Sequence, residues 1–182
     1  GCAAADGVLL VAPYARRLVV RDLGGTWREI DLPSPVVDLA CNSRAAIAWG
    51  VDDRGWLIRV ETVGVTVRED RELGWPGRLA LSAEGRWLAY ADRGRVVILE
   101  PPEARRDWPV RGEPTSIAVD AAHDRLATGY RDGWVEFFRL SDGELLAAAP
   151  GHQDRVGALA FTEEGELVSG SWDQTVRRWR TP

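Results

Sequence analysis

The sequence predicts an all-β fold, a β-propeller of four-stranded antiparallel blades, and three observations carry that reading. Short apolar or β-branched runs bounded by Gly, Pro, Asn and Asp recur along the chain, and no segment sustains a 3.6-residue apolar period. One local frame recurs at Arg21, Val60, Leu99, Phe138 and Trp179, in steps of 39, 39, 39 and 41 residues. An independent column, Cys41, Leu81, Val119 and Phe161, repeats in steps of 40, 38 and 42. A period near forty with four short strands in each unit fits blades, because a small sheet cannot bury both its faces unless copies stack against it.

The units follow in order as approximately 1–32, 33–73, 74–112, 113–150 and 151–182. The first is read as strands over 8–12, 18–22 and 27–32, with residues 1–7 a small-residue lead-in and no inner strand. Pro33-Ser34-Pro35 crosses to the second, with strands over 36–41, 45–50, 56–61 and 65–69. Pro76-Gly77 opens the third, over 78–82, 87–91, 95–99 and 106–110. Pro114 opens the fourth, over 116–120, 125–130, 134–140 and 144–149, and Asp132-Gly133 and Ser141-Asp142-Gly143 are its clearest turns. The last unit holds strands over 156–161, 166–170 and 175–179.

Composition narrows the function classes. A net charge of −5 gives no footprint for nucleic acid, which needs clustered positive charge. No apolar run approaches the roughly 18 residues of a membrane span, so a soluble, cytoplasmic chain without a membrane partner is expected. All 23 basic residues are Arg and there is no Met, a bias expected of a GC-rich bacterial genome. Cys2 and Cys41 are read as two ordinary thiols in a reducing compartment. A phosphate-cradling loop needs a Lys the chain lacks, and His123 is read as an exposed turn residue without convergent ligands, so neither cofactor nor metal is expected.

The last unit contains Gly151-His152, Ser169-Gly170-Ser171, Asp173 and Trp179, and here the sequence resembles the WD-repeat β-propeller family. Arg180 stands where the family has the Asp of its Trp-Asp pair. The resemblance implies a structural tetrad of His152, Ser169, Asp173 and Trp179, in which His152 bridges Asp173 and Ser169, and Ser169 passes the bond on to the Trp179 indole. The fourth unit keeps Thr128, Asp132 and Phe138 at matching places but lacks the Gly-His; the second and third keep only strands and turns. Read instead as a hydrolase triad, His152, Ser169 and Asp173 fail, because a nucleophilic Ser needs an exposed sharp turn and Ser169 lies mid-strand.

One alternative is a compact five-bladed ring from this chain alone; in a seven-bladed parent of four-stranded blades, 28 strands in all, the eighteen read here make about four and a half blades and leave ten missing. The chain is then expected to be the C-terminal part, broken in the hairpin before residue 1, and to require a complementing N-terminal fragment or self-association. Trp172 and Trp75 fall at turns on the face where partners dock in this family, and Arg131, Arg155 and Glu113 are placed beside them as candidate contacts. The expected function is a non-catalytic platform for a protein or peptide partner, in a sensing or regulatory role within a larger bacterial signalling or defence protein. The alternatives are a propeller hydrolase or lyase with a central-channel site and a structural subunit of an assembly. The first needs carboxylates or His at the inner-strand starts, where the sequence has mainly Pro and apolar residues.

Overall fold

Period-two runs separated by tight turns form antiparallel meanders, and the structure, a computed structural model, contains nineteen strands among its described residues. Those residues are 2–3, 9–11, 16–21, 26–42, 47–61, 66–72, 77–100 and 104–181. The chain divides into two compact units, Gly1–Arg86 and Trp87–Pro182.

The first unit holds two four-stranded sheets. One is β1 (Cys2–Ala3), β2 (Leu9–Val11), β3 (Arg17–Arg21) and β4 (Trp27–Asp31), in that spatial order. The other is β5 (Val36–Cys41), β6 (Ile47–Asp52), β7 (Trp56–Glu61) and β8 (Thr66–Glu72), also in chain order. The short strand β9 (Leu79–Leu81) completes this unit, tied to β5 where the Leu79 amide donates to the Asp38 carboxylate at 2.8 Å. Leu18 and Ile30 of the first sheet, with Leu32, pack against Val36, Leu39, Ala48 and Ile58 of the second to form one buried cluster.

The first unit corrects two expectations, the first of them in its opening sheet. It has an inner strand, since β1 pairs with β2 through Cys2 opposite Leu10 and Ala3 opposite Leu9. Two residues are too few to display alternation, and backbone pairing needs no side-chain pattern, so the sequence carried no signal for it. The first repeat therefore has four strands where three were expected. Cys41 is disulfide-bonded, so its reading as a free thiol is also corrected, and a disulfide is the state favoured in oxidising compartments.

In the second unit β10 (Leu88–Asp92), β11 (Arg95–Glu100) and β12 (Ala104–Pro109) form successive antiparallel ladders. The next sheet is β13 (Ser116–Asp120), β14 (Arg125–Gly129), β15 (Trp134–Arg139) and β16 (Leu145–Pro150). The last is three-stranded: β17 (Val156–Phe161), β18 (Leu167–Ser171) and β19 (Val176–Trp179). The run Trp-Val-Glu-Phe-Phe of β15 is nearly continuous in apolar residues because both of its faces are covered. Val135 and Phe137 join Val156 and Leu167 of the last sheet in a buried cluster, while Phe138 points the other way, 6.3 Å from the Trp108 ring of β12.

Sheets this close leave no room for some side chains. A Cβ on Gly129 would sit 2.5 Å from Ser116 Oγ and 2.6 Å from Val156 Cγ1, whereas one on Gly112 would meet nothing within 4 Å. Gly129→Ala is expected to cost about 1–3 kcal/mol through overpacking, and Gly112→Ala to stay within about 0.5 kcal/mol of wild type. Denaturant midpoints of the two variants measure the difference.

Candidate functional site

The polar core of the last sheet starts from one carboxylate. Asp173 lies in the turn between β18 and β19, where its Oδ1 accepts from the Thr175 amide at 2.9 Å and the Thr175 hydroxyl at 2.6 Å. Its Oδ2 accepts from the Gln153 amide at 2.9 Å and faces His152 Nδ1 at 2.9 Å. With Nδ1 donating to this carboxylate, Nε2 of the neutral ring accepts from the Ser169 hydroxyl at 2.7 Å, and Ser169 Oγ accepts from the Trp179 indole N–H at 2.8 Å. The structure thus brings His152, Ser169, Asp173 and Trp179 into one relay that links the segment leading into β17, the middle of β18 and the end of β19. Burial raises the Asp173 pKa, but the bonds from Thr175, Gln153 and His152 outweigh it and hold the group well below the usual carboxylate value.

A reacting Ser must reach a substrate carbonyl. Ser169 is fully buried and its oxygen is already shared between imidazole and indole, so this trio holds the sheet and does not offer a nucleophile.

Above the relay lies a polar rim. The register slips by one residue between Val156 and Ala158, a bulge at the start of β17 that leaves Gly157 without a cross-strand partner, and the Trp172 amide donates to the Arg155 carbonyl at 3.0 Å. These place the Arg155 guanidinium 5.3 Å from the Trp172 ring centroid, with Trp172 67% exposed. The Val156 amide donates to the Tyr130 carbonyl at 3.0 Å, and the His152 amide to the Gly133 carbonyl at 3.2 Å, so the turn after β14 abuts the segment leading into β17. Gly133 is required there: its φ is +81°, and a Cβ would sit 2.0 Å from the His152 carbonyl oxygen. Arg131 is exposed on this turn, and Glu113 is exposed on the link into β13. Trp75 lies outside the described residues. His123 is exposed, with Nδ1 2.7 Å from Asp120 Oδ2, and among the described residues no group of His, Cys, Asp and Glu is arranged to hold a metal ion.

Three features escaped the sequence reading. Arg111 stacks over Trp134 at 4.4 Å and pairs with Asp132 at 3.1 Å, so Trp134 serves this end of the sheet and not only packing between sheets. Arg111 lies 44 residues before Arg155, off the forty-residue period, so periodicity carried no signal for it. In the fourth sheet the position matching Ser169 is Thr128, whose hydroxyl donates to Tyr130 Oη at 2.9 Å, and Tyr130 in turn donates to the buried Glu136. Burial and the Glu136 carboxylate push the Tyr130 hydroxyl pKa well up. In the second sheet Asp52 is fully buried, accepts from the amides of Arg54 at 3.0 Å and Trp56 at 2.7 Å, and is closed by Ser34 and the Arg54 guanidinium. The Asp52-Asp53-Arg54-Gly55 run was a visible turn signal for this last one.

Antiparallel meanders, the last of them carrying a His–Asp and Ser–Trp relay, are the arrangement that the WD-repeat resemblance implies. Residues 143–180 match the family model described as WD domain, G-beta repeat. The chain is 38% identical over 73 residues to Periodic tryptophan protein 2 homolog of Schizosaccharomyces pombe, covering 39% of this chain and 8% of that one. It is 30% identical over 113 residues to Cell division control protein 4 of Saccharomyces cerevisiae, covering 56% and 14%. It is 38% identical over 64 residues to Ribosome biogenesis protein YTM1 of Eremothecium gossypii, covering 35% and 14%. The matched segments are thus a small part of each relative.

His152→Ala leaves Asp173 and Ser169 each short of a partner in a buried place and is expected to cost about 1–3 kcal/mol, read as a lower denaturant midpoint. Asp173 also sets a pH dependence. Its folded pKa lies below the ordinary 3.8, so its contribution to stability is fully present above that value and is lost as pH falls beneath it towards the folded value. Melting temperatures followed from neutral pH into acid are expected to fall less steeply below that value for Asp173→Asn than for wild type.

Proposed function

We propose that the chain is a non-catalytic platform for a protein or peptide partner, and that the rim of the last sheet is its contact surface. The observation that supports this best is Trp172: a large aromatic left mostly in water, propped by Arg155, on a turn the relay beneath it holds rigid. Aromatic and Arg side chains fixed on rigid backbone are the residue types that dominate contact energies, because they bury much area while losing little conformational freedom on binding. Two of the matched relatives are named for ribosome biogenesis and cell division control. The sensing or regulatory role in a larger bacterial signalling or defence protein is a finer part of this proposal, and the Arg-only, Met-free composition supports the bacterial source. A complementing N-terminal fragment or self-association belongs to the same reading.

Selection of displayed random decapeptides on the immobilised full chain tests the platform. Peptides recovered on wild type are expected to lose about tenfold or more in affinity on Trp172→Ala, the cost of a contact hot spot. Leu145→Ala serves as the control, since Leu145 is 51% exposed but lies opposite Phe138, at the far end of its ladder from the Trp134–Pro150 pair. Equal binding by wild type and Trp172→Ala, or equal loss on Leu145→Ala, would sink this reading.

A further inference from the structure

Resting on that reading, we infer that the rim selects an acidic peptide, whose Asp or Glu side chains pair with Arg155 and Arg131. The inference turns on which charges of the rim are already spent. Asp132 is paired with Arg111 at 3.1 Å. Asp173 is consumed by the relay, where His152, Gln153 and Thr175 take up both its oxygens. Asp154 accepts the Arg155 amide through Oδ1 at 2.6 Å and forms no ion pair with either arginine. Arg155 and Arg131, by contrast, have no ion pair with any described residue, and Arg155 Nε is buried with no hydrogen-bond partner.

Position brings the two arginines together. The Val156 amide donates to the Tyr130 carbonyl at 3.0 Å, so Arg155, one residue before the donor, and Arg131, one residue after the acceptor, flank a single hydrogen bond between neighbouring turns. Stacking on Trp172 uses the face of the Arg155 guanidinium and, with Nε buried, leaves its terminal N–H groups for a carboxylate, which accepts from a guanidinium in a planar, charge-assisted pair. Trp172 then offers an apolar surface beside that pair, lowering the local dielectric and strengthening it. The overall charge of −5 does not oppose this at contact range. Charges beyond about 10 Å are largely screened at 0.1 M salt, and Glu113, exposed on the link into β13, forms no ion pair with either arginine.

The displayed decapeptides recovered on the full chain are the probe. Their sequences are expected to be enriched in Asp and Glu over the starting library. A synthetic copy of a recovered peptide is expected to bind Arg155→Glu and Arg131→Glu about tenfold or more weakly, to weaken likewise when its own Asp and Glu become Asn and Gln, and to lose affinity as salt rises. Far-ultraviolet circular dichroism and the denaturant midpoint check the fold of each variant, and Arg131, exposed on its turn, carries the test should Arg155→Glu disturb packing. Peptides that depend on Trp172 yet show no acidic enrichment, or that bind both folded charge-reversal variants as wild type does, overturn the acidic selection and leave the platform standing. Peptides indifferent to Trp172→Ala overturn both.

Discussion

The Asp173 carboxylate is the constraint on which the last sheet depends. An ionised group withdrawn from water has to be met by donors on every side, or its desolvation is uncompensated. Here the donors come from two places apart in sequence: the segment leading into β17, through His152 and Gln153, and the turn that carries Asp173 itself, through Thr175. Satisfying the charge therefore fixes where the chain enters the sheet relative to where it turns. His152 extends the constraint inward, since the nitrogen opposite the carboxylate must find a donor and finds Ser169, whose oxygen then orients Trp179. Trp179 meets Phe137 of the preceding sheet edge-on at 6.4 Å, so a local charge requirement becomes packing between sheets.

The second and fourth repeats meet the same physical requirement with different residues. Turn amides near the end of an inner hairpin need acceptors, and a buried acceptor needs its own partners. In the second sheet Asp52 supplies the acceptor for Arg54 and Trp56, and Ser34 and Arg54 supply the partners. In the fourth, Asp132 accepts weakly from the Trp134 amide at 3.4 Å and spends its charge on Arg111, while the buried polar positions are taken by Thr128, Tyr130 and Glu136. Sequence degeneracy between repeats is thus compatible with a shared backbone, because the fold asks for satisfied turns and a covered apolar face, not for one side chain.

This explains which parts of the protein were legible beforehand. Strand positions and their period follow from alternation and turn residues, which are local, and β5, β7, β13 and β17 fall on the residues where alternation puts them. The tetrad residues were visible because their spacing survives intact in the last repeat. The pairing of β1 was not, being two residues of backbone chemistry, and neither was the disulfide at Cys41, since cysteine count alone does not bring thiols together. The stack of Arg111 on Trp134 was hidden for another reason: it depends on the path of the link into β13, and link length varies between repeats while strand spacing does not.

A contrast between two arginines bears on function more directly than either does alone. Arg111 and Arg155 both lie ahead of an inner strand and both cover an aromatic ring at a turn. Arg111 also has its carboxylate, Asp132, and needs nothing further. Arg155 has the ring but, among the described residues, no acid paired with it. Stability alone favours completing that pair, as the preceding sheet does, because an unmet donor costs free energy and a nearby Asp would remove the cost. The relay below leaves Asp173 unable to serve, since moving its carboxylate outward would strip His152 and the turn amides of their acceptor. The core thus withholds the one acid within that turn from the guanidinium above it.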